Sequence, residues 1–201
     1  AQEFKKNKNH LELVALATVA DLVPLKGANR ALLKFGLEEL RKTNRVGILE
    51  LLKEAGIAKE SLGVYEIGHM VAPRLNAMGR LEYAMDSLRL LCTKDPKRAK
   101  DLAQKLEVTN KERQVLTSST IEHAKQQVIN LSKKVKILII EHESYEEGVI
   151  GLVAGKLVGD ASSAAAAAGR GRAGVPDEVS KRAIRVKYVR AKALRTVHRD
   201  A

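Results

Sequence analysis

One cysteine, no tryptophan, four prolines and 3% aromatic residues in a chain of 201 leave several kinds of protein without their building materials. The lone Cys92 closes no internal disulfide, and no Cys/His spacing of the zinc type occurs. A disulfide scaffold and a zinc module are therefore excluded, and a reducing compartment, the cytoplasm, is expected. The longest apolar runs, Leu13 to Ala20 and Ile137 to Ile140, fall far short of the roughly 20 residues that span a bilayer, so no membrane partner is expected. The chain opens Ala1-Gln2-Glu3-Phe4 with no initiator Met and no apolar leader, and reads as an internal piece of a longer protein.

What is present is 45% hydrophobic residues, enough to bury a core, and a formal charge of +12. That excess points to polyanionic partners and says nothing about fold. It is unevenly placed: residues 161–201 hold ten basic and three acidic residues, so more than half of the surplus lies in the last fifth of the chain.

Between His10 and Ala20 the stretch LELVALATVA is almost wholly apolar and suits a buried helix or a buried strand, ending at Asp21-Leu22-Val23-Pro24. Leu32, Leu33, Phe35, Leu37 and Leu40, then Ile48, Leu49, Leu51 and Leu52 before Gly56, predict two short amphipathic helices. From Gly63 to Arg80 the glycines at 68 and 79 and Pro73 predict a loop of fixed shape. Asp95-Pro96 is an N-cap followed by a first-turn proline, and the Gly- and Pro-free stretch from Lys97 to about Leu131 predicts one long connecting helix. VKILII at 135–140 has strand composition, and Val149, Ile150, Leu152, Val153 and Leu157 predict a helix after it. Strand, loop and helix open a second α/β domain. The alanine run and the Arg/Lys-rich stretch after Ala161 supply no convincing strand, so a folded sequence is expected to stop near Gly159 and the tail to be a basic, low-complexity extension.

Three segments carry chemistry. Asp21 ends an apolar element, where a carboxylate either faces a cleft rigidly or merely caps the turn ahead of Pro24. In VAPRLNAMGRL, Val71 to Leu81, Arg74 and Arg80 offer forked donors suited to phosphate and Asn76 can fix a loop or a water. The alternative is a network tying the segment to carboxylates of its own protein. In GVIGLVAGKL, Gly148 to Leu157, Gly148 near the helix start permits close approach of an anion or of another backbone, and Tyr145 precedes it. Two apparent nucleotide motifs fail. Gly169-x-Gly171-x-x-Gly174 follows alanines instead of a strand, and Gly151-x-x-x-Gly155-Lys156 is one residue short of a P-loop.

Together, Leu13 to Leu25 with its VALATVADLVPL, Val71 to Leu81 and Gly148 to Leu157 resemble, in order and rough spacing, the RecJ branch of the DHH phosphoesterase superfamily, single-strand-specific 5′ to 3′ DNA exonucleases. The resemblance implies an α/β fold divided into the end of a DHH catalytic domain (1–44), a helical segment with the PRLNAMGR loop (45–94), a long connecting helix (95–133), the start of a DHH-associated nucleic-acid-binding domain (134–160) and the basic tail (161–201). It implies Asp21 as a metal ligand and catalytic residue. Arg74 and Arg80 become catalytic phosphate contacts, and Arg74, Asn76, Arg80, Tyr145 and Gly148 nucleic-acid-binding residues. Two divalent ions, Mn2+ or Mg2+, and single-stranded DNA are the implied cofactor and partner. The family has His after the aromatic preceding this glycine, where Glu146 stands here, and its Ser/Gly/Arg motif for the DNA 5′ end is matched only poorly by Ser180-Lys181-Arg182 and Arg185. No Asp-His-His occurs, and the five histidines stand apart in sequence, so the remaining metal ligands are expected upstream of Ala1 and this chain alone is expected to be inactive. The competing readings are a non-catalytic nucleic-acid-binding module and a phosphodiesterase acting on short RNA or cyclic dinucleotides.

Overall fold

A computed structural model describes residues 10–129, 137–170 and 185–191. The chain divides into two units, Ala1–Glu112 and Arg113–Ala201.

The first unit is helical. The uniformly apolar stretch forms α1 (Leu11–Ala20), burying Ala15, Leu16 and Val19, and packs along α2 (Gly27–Leu40). The helix α3 (Val46–Glu54) buries Ile48, Leu51 and Leu52, the positions its periodicity marks. These join Leu40, Leu62, Ile67, Met78, Leu90 and Leu106 in one core. Glycine is required at 47: a Cβ there would lie 1.7 Å from the Leu90 carbonyl oxygen, so only hydrogen lets α3 approach α6 (Met85–Cys92) this closely. Arg41, just past α2, donates Nε and Nη2 to the Leu62 carbonyl at 2.9 and 2.6 Å, fastening the end of that helix to the connection that follows α3.

The segment expected as a loop is helical instead. A short α4 (Val64–Glu66) runs into a π turn (Ile67–Val71) and then α5 (Ala72–Leu81). Pro73 is the second residue of α5, directly after the π turn, and Gly79 lies in the last turn. Neither residue breaks the helical run, which continues from Val64 to Leu81. The long helix is present as α7 (Pro96–Ile129), with Asp95 Oδ1 accepting the Lys97 N–H at 2.9 Å as an N-cap. The unit boundary, between Glu112 and Arg113, falls within it.

The second unit begins along α7 and continues through β1 (Ile137–His142), α8 (Glu147–Arg170) and β2 (Arg185–Ala191). Ala124, Ile140, Tyr145, Val153 and Leu157 form its core. β2 pairs parallel with β1, from Ile137 opposite Arg185 to His142 opposite Ala191, with one irregularity between Leu138 and Ile139. The expectation that folded sequence stops near Gly159 is corrected on two counts. The alanine run is strong helix former and extends α8 to Arg170, and RVKYVRA supplies the second strand of a β-α-β unit. Its Val and Tyr residues among Arg and Lys give no isolated strand signal strong enough to outweigh the basic composition; the apolar β1, distant in sequence, provides the partner. Ser180-Lys181-Arg182 lies outside the described residues.

Candidate nucleic-acid interface

Asp21 is the C-cap of α1, and the turn it begins has a defined form. The Val23 N–H donates to Thr18 O at 3.1 Å and the Leu22 N–H to Val19 O at 3.1 Å, a Schellman motif that places Leu22 at φ 52. The same motif ends α3, with Gly56 at φ 67, Gly56 N–H on Lys53 O and Ile57 N–H on Leu52 O. Leucine thus occupies a left-handed position that glycine fills in the sister turn, and it is 86% exposed, so no packing compensates. Asp21 itself is exposed. The end of α1 lies against the π turn, since a Cβ at Gly68 would meet the Val19 side chain at 3.5 Å.

On the helical run from 64 to 81, Ile67, Val71, Ala72, Ala77 and Met78 face the core, and Tyr65, His69, Asn76 and Arg80 are exposed. Arg74 is committed within the protein: Nε donates to Glu107 on α7 at 2.6 Å and Nη1 to the Met70 carbonyl at 2.7 Å, with both ion-pair side chains 14% exposed. Lys111 stands 3.3 Å from the other Glu107 oxygen. This is the internal network that the sequence left as the alternative for Arg74. Nearby, Asp86 on α6 accepts from Lys105 Nζ and Arg89 Nη1, each at 2.8 Å, and these bonds, Lys105 first, hold its carboxyl below the ordinary aspartate range.

In the second unit Tyr145 is 3% exposed, and its hydroxyl lies 2.8 Å from His123 Nδ1. Burial raises the phenol pKa. His123 and His142, far apart in sequence, meet edge to face with centroids 4.6 Å apart, and Ser144 Oγ is 2.7 Å from His142 Nδ1. The buried Tyr145 ring is not available to stack on a base. Gly148 is the second residue of α8. Histidines that stand apart in sequence are thereby brought together, and only tertiary contact reveals it; the Tyr65 and His69 pair, by contrast, is visible as i and i+4 on a helix.

Among the described residues no group of three or more His, Cys, Asp or Glu could hold a metal ion. One carboxylate cannot satisfy a two-ion hydrolytic site, so the donors among the described residues do not by themselves fit a metal pair. A cavity of about 560 Å3 lined by residues including His10, Arg45 and Cys92 contains none of Asp21, Arg74, Asn76 or Arg80. No helix among the described residues is long and apolar enough to cross a membrane.

No family model matches the chain. Individual proteins do. The single-stranded-DNA-specific exonuclease RecJ of Bacillus subtilis is 39% identical over 148 residues, 74% of this chain and 19% of its own length. That of Thermus thermophilus is 32% identical over 149 residues, 74% of this chain and 22% of its own length. The crystal structure of T. thermophilus RecJ with Mn2+ superposes with a TM-score of 0.67 at 31% identity, over 75% of this chain and 22% of that one. A RecJ exonuclease bound to manganese gives 0.64 at 32%, over 74% of this chain and 38% of that one. T. thermophilus RecJ has also been solved with Mg2+.

Fold and sequence together therefore relate this chain to one segment of a class of exonucleases. The chain is homologous to the RecJ single-stranded-DNA-specific exonucleases over about three quarters of its length. It spans about a fifth of the length of the first two curated relatives.

Proposed function

We propose that this chain is part of a metal-dependent exonuclease that hydrolyses single-stranded DNA from the 5′ end, covering the end of its catalytic domain (1–44), the connector and the start of its nucleic-acid-binding domain (134–160). The observation that carries this is the 39% identity to B. subtilis RecJ over 148 residues. Asp21 supplies one ligand to the Mn2+ or Mg2+ ions, and the other ligands come from sequence outside this chain. Asn76 and Arg80, exposed on α5, contact the phosphate backbone, and Arg74 holds α5 on α7 while offering its remaining donor edge to phosphate. Gly148 lets the strand approach the first turn of α8, and the buried Tyr145 acts by holding that turn. A cytoplasmic location belongs to the same reading and rests on the single free Cys92.

The test is binding and cleavage of 5′-labelled single-stranded DNA, with duplex as competitor, in Mn2+. The chain alone should bind the single strand without cutting it, and Arg80→Ala should weaken binding and lower the salt slope by about one unit. Efficient hydrolysis by these residues alone would refute the ligand count. Absence of any preference for single strands would remove the substrate assignment.

A further inference from the structure

Tyr65 and His69 form the one stacked aromatic pair among the described residues, with ring centroids 4.4 Å apart and planes 21° from parallel. Both are exposed, Tyr65 to 64%. His69 covers one face of the tyrosine ring, so the exposure belongs to the other face and the ring edge. The stack is fixed in place, because His69 Nδ1 donates to the Tyr65 carbonyl at 3.1 Å and the pair straddles the entry to a π turn, a backbone form concentrated at functional sites.

The position adds to the chemistry. The core-facing side chains of this run turn Tyr65 and His69 outward, on the half of the rod that also exposes Asn76 and Arg80. The adjacent Gly68 lies against Val19, two residues before Asp21 on the end of α1. We infer that Tyr65, backed by His69, is a stacking platform for a nucleobase of the single strand. The inference rests on the single-strand reading above and deepens it. A flat, preordered ring gains stacking energy from any base, without sequence preference, and it discriminates against duplex, whose bases are already stacked. Phosphate contacts at Asn76 and Arg80 would set position along the backbone, and the platform would orient the base.

The test uses the full chain and a short fluorescent oligothymidylate, with an abasic strand of equal length as the control. Tyr65→Ala should weaken oligothymidylate binding roughly ten-fold, and Tyr65→Phe should stay within about two-fold of the parent, because the ring is what stacks. The slope of log affinity against log salt should not change, since no phosphate contact is lost. On the abasic strand Tyr65→Ala and the parent should bind alike. Because the chain has no tryptophan, Tyr65→Trp places a single reporter whose fluorescence should be quenched by oligothymidylate and left unaltered by the abasic strand. Equal binding by Tyr65→Ala and the parent, or an equal loss on both strands, overturns the platform and leaves the single-strand reading standing. Failure of every form to bind overturns both.

Discussion

Arg74 and Glu107 join α5 to α7 through a 2.6 Å charge-assisted hydrogen bond between two side chains that are each 14% exposed. An arginine that a sequence motif offers to phosphate is also a fastener of its own helix. Removing either partner leaves a largely desolvated charge behind. Glu107→Ala and Arg74→Ala should each lower stability by about 1 to 3 kcal/mol, measured by urea unfolding, and the double variant should lose less than the sum. Strict additivity would show that the pair contributes nothing as a pair.

Leu22 and Gly56 occupy the same left-handed position in two Schellman turns. Leu22→Gly should stabilise the protein by about 1 kcal/mol, because the strained conformation costs glycine little. Gly56→Ala should destabilise by a similar amount, about 1 kcal/mol, and nothing lies within 4 Å of the added Cβ, so the effect would be conformational alone. Thermal melting of the two variants measures both signs; a destabilising Leu22→Gly would refute the strain.

Asp86 makes stability depend on pH in a fixed direction. Its carboxyl is held below the ordinary aspartate range by Lys105 and then Arg89, so the folded state binds that proton less readily than the unfolded chain does. The contribution is fully present above the unfolded value of about 4 and is lost as the pH falls through the depressed folded value. Asp86→Asn should therefore be less stable than the parent at neutral pH and should show a shallower decline below about pH 4. Parallel declines in urea midpoints across that range would exclude Asp86 as a source of the acid sensitivity.

The Tyr145 hydroxyl and His123 Nδ1 are hydrogen-bonded at 2.8 Å. Tyr145→Phe should reduce the protection of α8 amides from hydrogen exchange by about 1 kcal/mol. Unaltered exchange in the variant would mean that the hydroxyl is held without energetic consequence.

Much of this protein was determined locally. Period-3.6 apolar spacing marked α2 and α3, Asp95-Pro96 marked the start of α7, Gly56 marked a helix end, and β-branched composition marked β1, because each of these depends on residues within a few positions of one another. The motif residues Asp21, Arg74, Asn76 and Arg80 were likewise legible as residue types. Tertiary structure alone decided what those types do. It made the PRLNAMGR stretch a helix, since the run's apolar residues found a core to face. It bound Arg74 to Glu107 and left Tyr65 and His69 outside, closed the ring of His123, His142 and Tyr145, and made a strand of RVKYVRA by giving it β1 as a partner. The physical reason is the same each time: a side chain's hydrogen-bond partner and a strand's neighbour lie far along the chain, and local periodicity carries no information about which distant residue will be there.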